Sequence, residues 1–179
     1  NNTYDLEILI QEILKFRDIE SINPTLHIQS EVSITNIVNR FLQAYQIIAQ
    51  QAEINLICFI SPNIYWNTDI SCFHKILSNL VSNAFKYTPP KGTIRISLYI
   101  EENSLILEVY NTGKGIEHAK LSTIFKPYNI LEDVDSNSYS QLTTRTGLGL
   151  SIAKWIVDIH KGRIDIESKE QEGTKVIAF

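Results

Sequence analysis

The sequence predicts an α/β fold, a two-layer sandwich in which a mixed sheet of about five strands is covered on one face by about three helices. Strand-like alternation comes in neighbouring runs joined by short turns, as in hairpins, from Gly92 to Val109 and from Arg163 to Phe179. Helical apolar stripes are interleaved between the strand runs rather than gathered at one end. The order also lacks the strict strand–helix repetition of a parallel doubly wound sheet.

Taken in order, Asn1 to Glu20 carries a helical stripe of Leu6, Leu9, Ile10, Ile13 and Leu14, stopped by Asn23-Pro24. So short an apolar helix packs on a second helix, on a partner chain or on its own domain. Thr25 to Val32 alternates as a strand, and Ser33 or Thr35 is placed to cap a helix running to about Gln51. Ile54 to Ile60 reads as an apolar strand closed by Ser61-Pro62, and Ile64 to Asn67 as a short one. Asp69 caps the next helix, which Pro89-Pro90 ends; its buried stripe is Phe73, Ile76, Leu77, Leu80, Val81 and Ala84. A hairpin follows, with Ile94, Ile96, Leu98 and Ile100 on one face of its first strand and Leu105, Leu107 and Val109 in the return. Glu117 to Phe125 reads as a short helix, and Lys126 to Thr146 as a long polar segment without period. A last helix opens at Gly147, with Gly162 as its C-cap, and leads into two alternating strands, Arg163 to Ser168 and Thr174 to Phe179.

With 179 residues, the chain is sized for one domain with at most a small appendage. A net charge of −4 gives no case for binding nucleic acid or an anionic membrane, and no run of eighteen apolar residues spans a bilayer. Cys58 and Cys72 lack metal-ligand spacing and lie in apolar runs, as expected of buried, reduced thiols in a cytoplasmic domain. The absence of methionine, even at position 1, is what is expected of a piece excised from a longer protein.

Chemistry concentrates in three clusters at element boundaries. Asn79, Asn83 and Lys86 share one face of a half-buried helix, where two carboxamides and an ammonium pack poorly. Carboxamide oxygens ligate Mg²⁺ without adding charge, their NH₂ groups donate to phosphate, and Lys86 adds a point charge. Asn111-Thr112-Gly113-Lys114-Gly115 is a loop whose glycines admit a flat ligand close to the backbone. Gly147-Leu148-Gly149-Leu150 enters a helix N-terminus, where N–H groups and the dipole favour phosphate. Singly, such clusters are mostly turns or solvated faces; in this order, they point to a phosphorylated, metal-bound ligand.

These stretches resemble the sensor histidine kinases. SNLVSNAFKYTP is similar to the family's N box, NTGKGI to the G1 box, IFKPY to the F box and TGLGLSIAK to the G2 box, in the family's order. The resemblance covers about Thr25 to Phe179. It implies a Bergerat-type ATP-binding fold in the GHKL superfamily and ATP:protein-histidine phosphotransfer with ATP and Mg²⁺ as cofactors. Asn79 and Asn83 would hold Mg²⁺ and phosphates, and Lys86 and Tyr87 would contact the phosphates. Gly113, Gly115 and Ile116 would line the adenine pocket, and residues 126–146 would be the ATP lid. Gly147, Leu148, Gly149 and Leu150 would cradle phosphate, and Thr174 would support adenine recognition. Residues 1–22 resemble the end of the second helix of the dimerisation and phosphoacceptor hairpin, which places the acceptor histidine upstream of Asn1. The four histidines present, His27, His74, His118 and His160, then read as structural or solvated. The implied partners are that hairpin, a second copy of the full-length protein and a response-regulator receiver domain; the implied location is cytoplasmic, in a protein anchored in the inner membrane.

One position departs from the pattern. The family places Asp where Asn111 stands. A carboxamide still accepts from the adenine amino group but loses a charge-assisted bond, about 1 kcal/mol. Binding is then weakened rather than abolished, and base choice relaxed; the alternative is a nucleotide-sensing module without phosphotransfer. Superfamily hydrolases carry Glu at the position of Asn79 as a general base. Asn accepts no proton, so phosphoryl transfer is expected here rather than hydrolysis.

Overall fold

The computed structural model describes residues 26–128 and 147–178. The N-terminal amphipathic stretch and most of the long polar segment lie outside these residues. Five strands form one sheet in the order β2 (Asn55–Ile60), β4 (Thr93–Glu101), β5 (Ser104–Asn111), β7 (Gly173–Ala178), β6 (Ile164–Lys169). The β2–β4 pair is parallel and the other three pairs are antiparallel. A separate antiparallel ribbon joins β1 (Gln29–Ser33) to β3 (Tyr65–Thr68). The sheet is mixed for a chain-order reason: hairpin neighbours pair antiparallel, whereas β2 and β4 are joined by a crossover containing β3 and α2 (Ile70–Tyr87).

Alternation along the strands builds the core. Ile94, Ile96 and Leu98 of β4, Leu107 and Val109 of β5, and Val176 and Ala178 of β7 are buried in one cluster. Onto it pack Ile34, Val38 and Leu42 of α1 (Ile34–Gln51), the stripe from Phe73 to Phe85 of α2, and Ala153, Ile156 and Val157 of α4 (Gly149–Ile159). The two-layer arrangement and the three covering helices therefore follow the sequence expectation. The opposite face of the sheet is more than a solvated surface. Ile106 and Ile177 are buried there, beside Tyr99, whose hydroxyl donates to a Glu108 carboxylate oxygen at 2.9 Å. Burial, that bond and the negative charges of Glu108 and Glu101 push the Tyr99 hydroxyl up to about 12.

Asp69 caps α2 as expected, its carboxylate accepting from the Cys72 N–H at 3.1 Å. Its other oxygen accepts from the N–H of His27 at 3.0 Å, tying the segment before β1 to the helix. Burial alone would push this carboxyl up; the N–H donors of Cys72, His27 and Ser71 and the nearby His27 outweigh burial and hold it below its ordinary value.

Several expectations need correction. Neither Ser33 nor Thr35 caps α1 through its side chain. The Thr35 hydroxyl instead donates to Ser61 O at 2.9 Å and accepts from Ile64 N–H at 3.0 Å, pinning the β2–β3 turn. The α4 C-terminus bends at Lys161, with φ of 60°, not at Gly162. The N–H of Lys161 bonds Asp158 O and that of Gly162 bonds Val157 O, a Schellman closure built on a lysine. Only His118–Leu121 of the expected short helix is helical (α3); turns continue through Tyr128. Cys58 is exposed, because β2 is the sheet's edge and sequence alternation does not distinguish an edge from a centre, and Cys72, in the first turn of α2, is only half-buried. Ile100, near the end of β4, is likewise exposed.

Candidate functional site

The helix α2 presents two faces. Leu77, Val81 and Phe85 are fully buried, while Asn79 and Asn83, off the apolar stripe, are half-buried. Lys86 is 8% exposed, and its Nζ lies 5.7 Å from the centroid of the Tyr87 ring. The Lys86 side chain is thus packed into this wall rather than extended into solvent. Thr88, also buried, donates to Ala84 O at 2.6 Å and closes the helix before Pro89.

The second wall is the start of α4. A Cβ added to Gly149 would stand 3.2 Å from Asn79 Oδ1 and 3.7 Å from Asn83 Nδ2. Gly149 has no positive φ, so what a larger residue would meet here is the Asn79 carboxamide rather than a backbone penalty. This helix end has no side-chain cap and no acidic residue in its first turn, which suits an anionic ligand. Ser151 Oγ donates back to Leu148 O at 2.8 Å. The Leu148 side chain is fully buried in the core, leaving only its backbone to a ligand, and Leu150 packs partly against the core as well. Gly147 enters the helix with φ of 69°.

The third wall is the end of β5 and the loop after it. Asn111 is 8% exposed, and its Nδ2 donates to Thr112 O at 3.1 Å. A Cβ on Gly113 would meet Tyr87 O at 2.5 Å and Asn111 Nδ2 at 3.6 Å, so the loop lies directly against the end of α2. Gly115 and Ile116 turn toward the β6–β7 hairpin. A Cβ on Gly115 would overlap Lys169 O at 2.1 Å, the Gln171 N–H bonds Lys114 O at 2.7 Å, and the Ile116 N–H bonds Ser168 Oγ at 2.9 Å. Thr174 stands directly opposite Asn111 in the β5–β7 register, and Ser168 directly opposite Thr174 in the β6–β7 register.

The structure thus brings Asn79, Asn83 and Gly149 together, and beside them Lys86, Tyr87, Gly113, Asn111 and Thr174. Of the expected lid, only Lys126 to Tyr128 falls among the described residues. Two participants were missed from sequence. Thr112 Oγ1 accepts from the Thr93 N–H at 2.8 Å and holds the loop to β4. Ser168 holds it to the hairpin. Thr112 looks like one more residue of the loop, and Ser168 like one more polar strand residue, until their partners are known. Among the described residues, no group of three or more His, Cys, Asp or Glu side chains forms a metal site. A cation here would rest on neutral carboxamide oxygens, and the cleft that Gly149 leaves open beside Asn79 Oδ1 and Asn83 fits that use.

Both the sequence and the fold have known relatives. The family model described as histidine kinase-, DNA gyrase B-, and HSP90-like ATPase matches residues 68–179. The circadian input-output histidine kinase CikA of Thermosynechococcus vestitus is 33% identical over 178 residues, 97% of this chain and 24% of that protein. The full-length ShkA crystal structure, in complex with AMPPNP, superposes with a TM-score of 0.81 at 19% identity, over 99% of this chain and 36% of that one. The histidine kinase ThkA, in complex with the response regulator protein TrrA, superposes with a TM-score of 0.76 at 23% identity, over 99% of this chain and 47% of that one. The chain spans 20% to 24% of the length of the first curated relatives it matches.

Proposed function

Because the chain belongs to the histidine kinase-, DNA gyrase B- and HSP90-like ATPase family, we propose that residues 25–179 are the ATP-binding catalytic domain of a two-component sensor histidine kinase. The domain transfers the γ-phosphoryl group of ATP to a histidine on a helix hairpin whose end is residues 1–22. The observation that carries this reading is the approach of the α4 N-terminus to the carboxamide face of α2, with Gly149 leaving the space between them.

In this reading, Asn79 and Asn83 would hold Mg²⁺, which when bound would supply charge neutralisation to the phosphates, and their NH₂ groups would orient the phosphates. Lys86 and the first turn of α4 supply donors to the phosphates, Tyr87 lines their path, and residues 126–146 close over them. Asn111, Gly113 and Thr174 receive the base, while Gly115 and Ile116 fix the loop that carries it. Catalysis is positioning and charge stabilisation. Asn79 takes up no proton, so bound ATP is kept for the acceptor histidine rather than spent on water. The full-length protein works as a homodimer, passes its phosphoryl group to a receiver domain and keeps this domain in the cytoplasm beside an inner-membrane anchor. No described helix is long and apolar enough to cross a membrane.

Mg·ATP titration by calorimetry tests the core of the proposal. The chain should bind at micromolar to millimolar nucleotide, and Asn83→Ala should weaken binding at least tenfold. Absence of heat and of stabilisation at millimolar Mg·ATP would sink it. Mixing the domain with a hairpin that carries the acceptor histidine should then yield acid-labile phosphohistidine, which a purely nucleotide-sensing module would not produce.

A further inference from the structure

Asn111, Thr174 and Ser168 form one row across three adjacent strands, each directly opposite the next. Directly opposed residues of antiparallel strands have Cβ atoms about 5 Å apart on one face of the sheet. The hydrogen bonds along this row have a direction. A serine hydroxyl has one proton to give and two lone pairs to fill. Ser168 Oγ donates to Gly173 O at 2.8 Å and accepts from the Ile116 N–H at 2.9 Å. Its remaining lone pair faces Thr174 Oγ1 at 2.7 Å. Thr174 must therefore be the donor in that bond; the reverse assignment would forfeit the bond to Gly173 and leave a Ser168 lone pair unfilled. With its proton committed to Ser168, Thr174 has only lone pairs to offer a ligand.

Asn111 is oriented by the same logic. Its Nδ2 donates to Thr112 O at 3.1 Å, and turning the amide over would set carbonyl against carbonyl. Oδ1 is left to accept. A free carboxamide is indifferent to the sense of a base edge, since by flipping it can pair with an amino or an oxo group. Here the flip is blocked and the neighbouring hydroxyl presents the same sense.

We propose that Ser168 is a positioning residue for base selection: it holds Thr174 as an acceptor beside Asn111, so that the pocket takes a purine with a 6-amino group and rejects one with a 6-oxo group. This rests on the nucleotide-binding reading above and supplies the discrimination that an Asp at position 111 would otherwise give by its charge. A 6-amino purine has two N–H bonds to give to the two acceptors, whereas a 6-oxo purine has one ring N–H and sets its oxygen against the other acceptor's lone pairs, which lowers its affinity.

The test compares ATP with ITP, which differ at this edge, by calorimetry with Mg²⁺. The wild-type chain should prefer ATP by about tenfold or more. Ser168→Ala releases the Thr174 hydroxyl to rotate and donate, so the ATP:ITP ratio should fall several-fold, and Ser168→Thr, which keeps the hydroxyl, should restore it. Loss of the Ile116 anchor alone would weaken both nucleotides equally and leave the ratio unmoved. Thr174→Val removes the lone pairs directly and should narrow the ratio even if Ser168→Ala fails to fold. An unchanged ratio in the folded Ser168→Ala or Thr174→Val variant, or no wild-type preference, overturns the inference while leaving ATP binding standing. Failure to bind either nucleotide overturns the underlying reading and this inference with it.

Discussion

Asn111 shows how much one residue's surroundings modify what its identity implies. From sequence, Asn111→Asp adds a charge-assisted bond to the adenine amino group and should tighten Mg·ATP binding about fivefold, roughly 1 kcal/mol. In the folded chain the Asn111 amide also donates to Thr112 O, and a carboxylate there would face a carbonyl from a buried position. The variant should therefore bind ATP more tightly yet unfold more easily without it, by about 1–2 kcal/mol. Calorimetry and nucleotide-free thermal melts separate the two effects, and weaker ATP binding would remove Asn111 from the base pocket. Gly149 supplies a second test. In helical backbone, Gly149→Ala should hold or raise the nucleotide-free Tm, since alanine gains about 1 kcal/mol over glycine within a helix. Its Cβ would nevertheless press Asn79 Oδ1 from 3.2 Å, and ATP affinity should drop at least tenfold. Unchanged affinity would mean that the α2–α4 cleft is not the phosphate site. The glycine was legible in the motif; its reason was not, because it lies in a side chain seventy positions earlier.

At the scale of elements, the cap of α2 ties stability to acidity. Asp69 has a folded-state carboxyl below its ordinary value. Its contribution is thus fully present above the unfolded value of about 4 and is lost as pH falls through the folded value. Asp69→Ala should cost about 1–2 kcal/mol at neutral pH, and Asp69→Asn, still able to cap, should cost less and flatten the acid limb of the stability profile. Urea melts from pH 7 to pH 3 check both; an acid limb unaltered in Asp69→Asn would place the titration elsewhere. Helices and hairpins were largely readable because local signals specify them: a 3.6-residue stripe with an Asp cap, alternation broken by Asn103-Ser104, prolines after Thr88. Misreadings fell where partners are distant. Thr35 bonds across to the β2–β3 turn instead of capping its own helix, and Cys58 is exposed because β2 has a neighbour on one side only.

For the whole molecule, the three walls of the site come from segments far apart in sequence, so a ligand that bridges them should stabilise the entire domain. A ligand at a hundredfold excess over its Kd adds about 2.7 kcal/mol, which for a chain of this size raises Tm by about 5–10 °C. Mg·ATP should produce that shift, and EDTA should abolish most of it; an equal shift without the metal would remove Asn79 and Asn83 as cation ligands. The sequence by itself determined the helix and strand order, the two-layer class and the identity of the polar boxes, since periodicity, caps and glycine–asparagine clusters are local properties of the chain. Only the tertiary structure decided the strand order β2-β4-β5-β7-β6, the register that lines up Asn111, Thr174 and Ser168, and the packing of Gly149 against α2. Those are contacts between segments whose separation along the chain carries no signal, and they arise when the apolar faces of α1, α2 and α4 are buried together on one sheet.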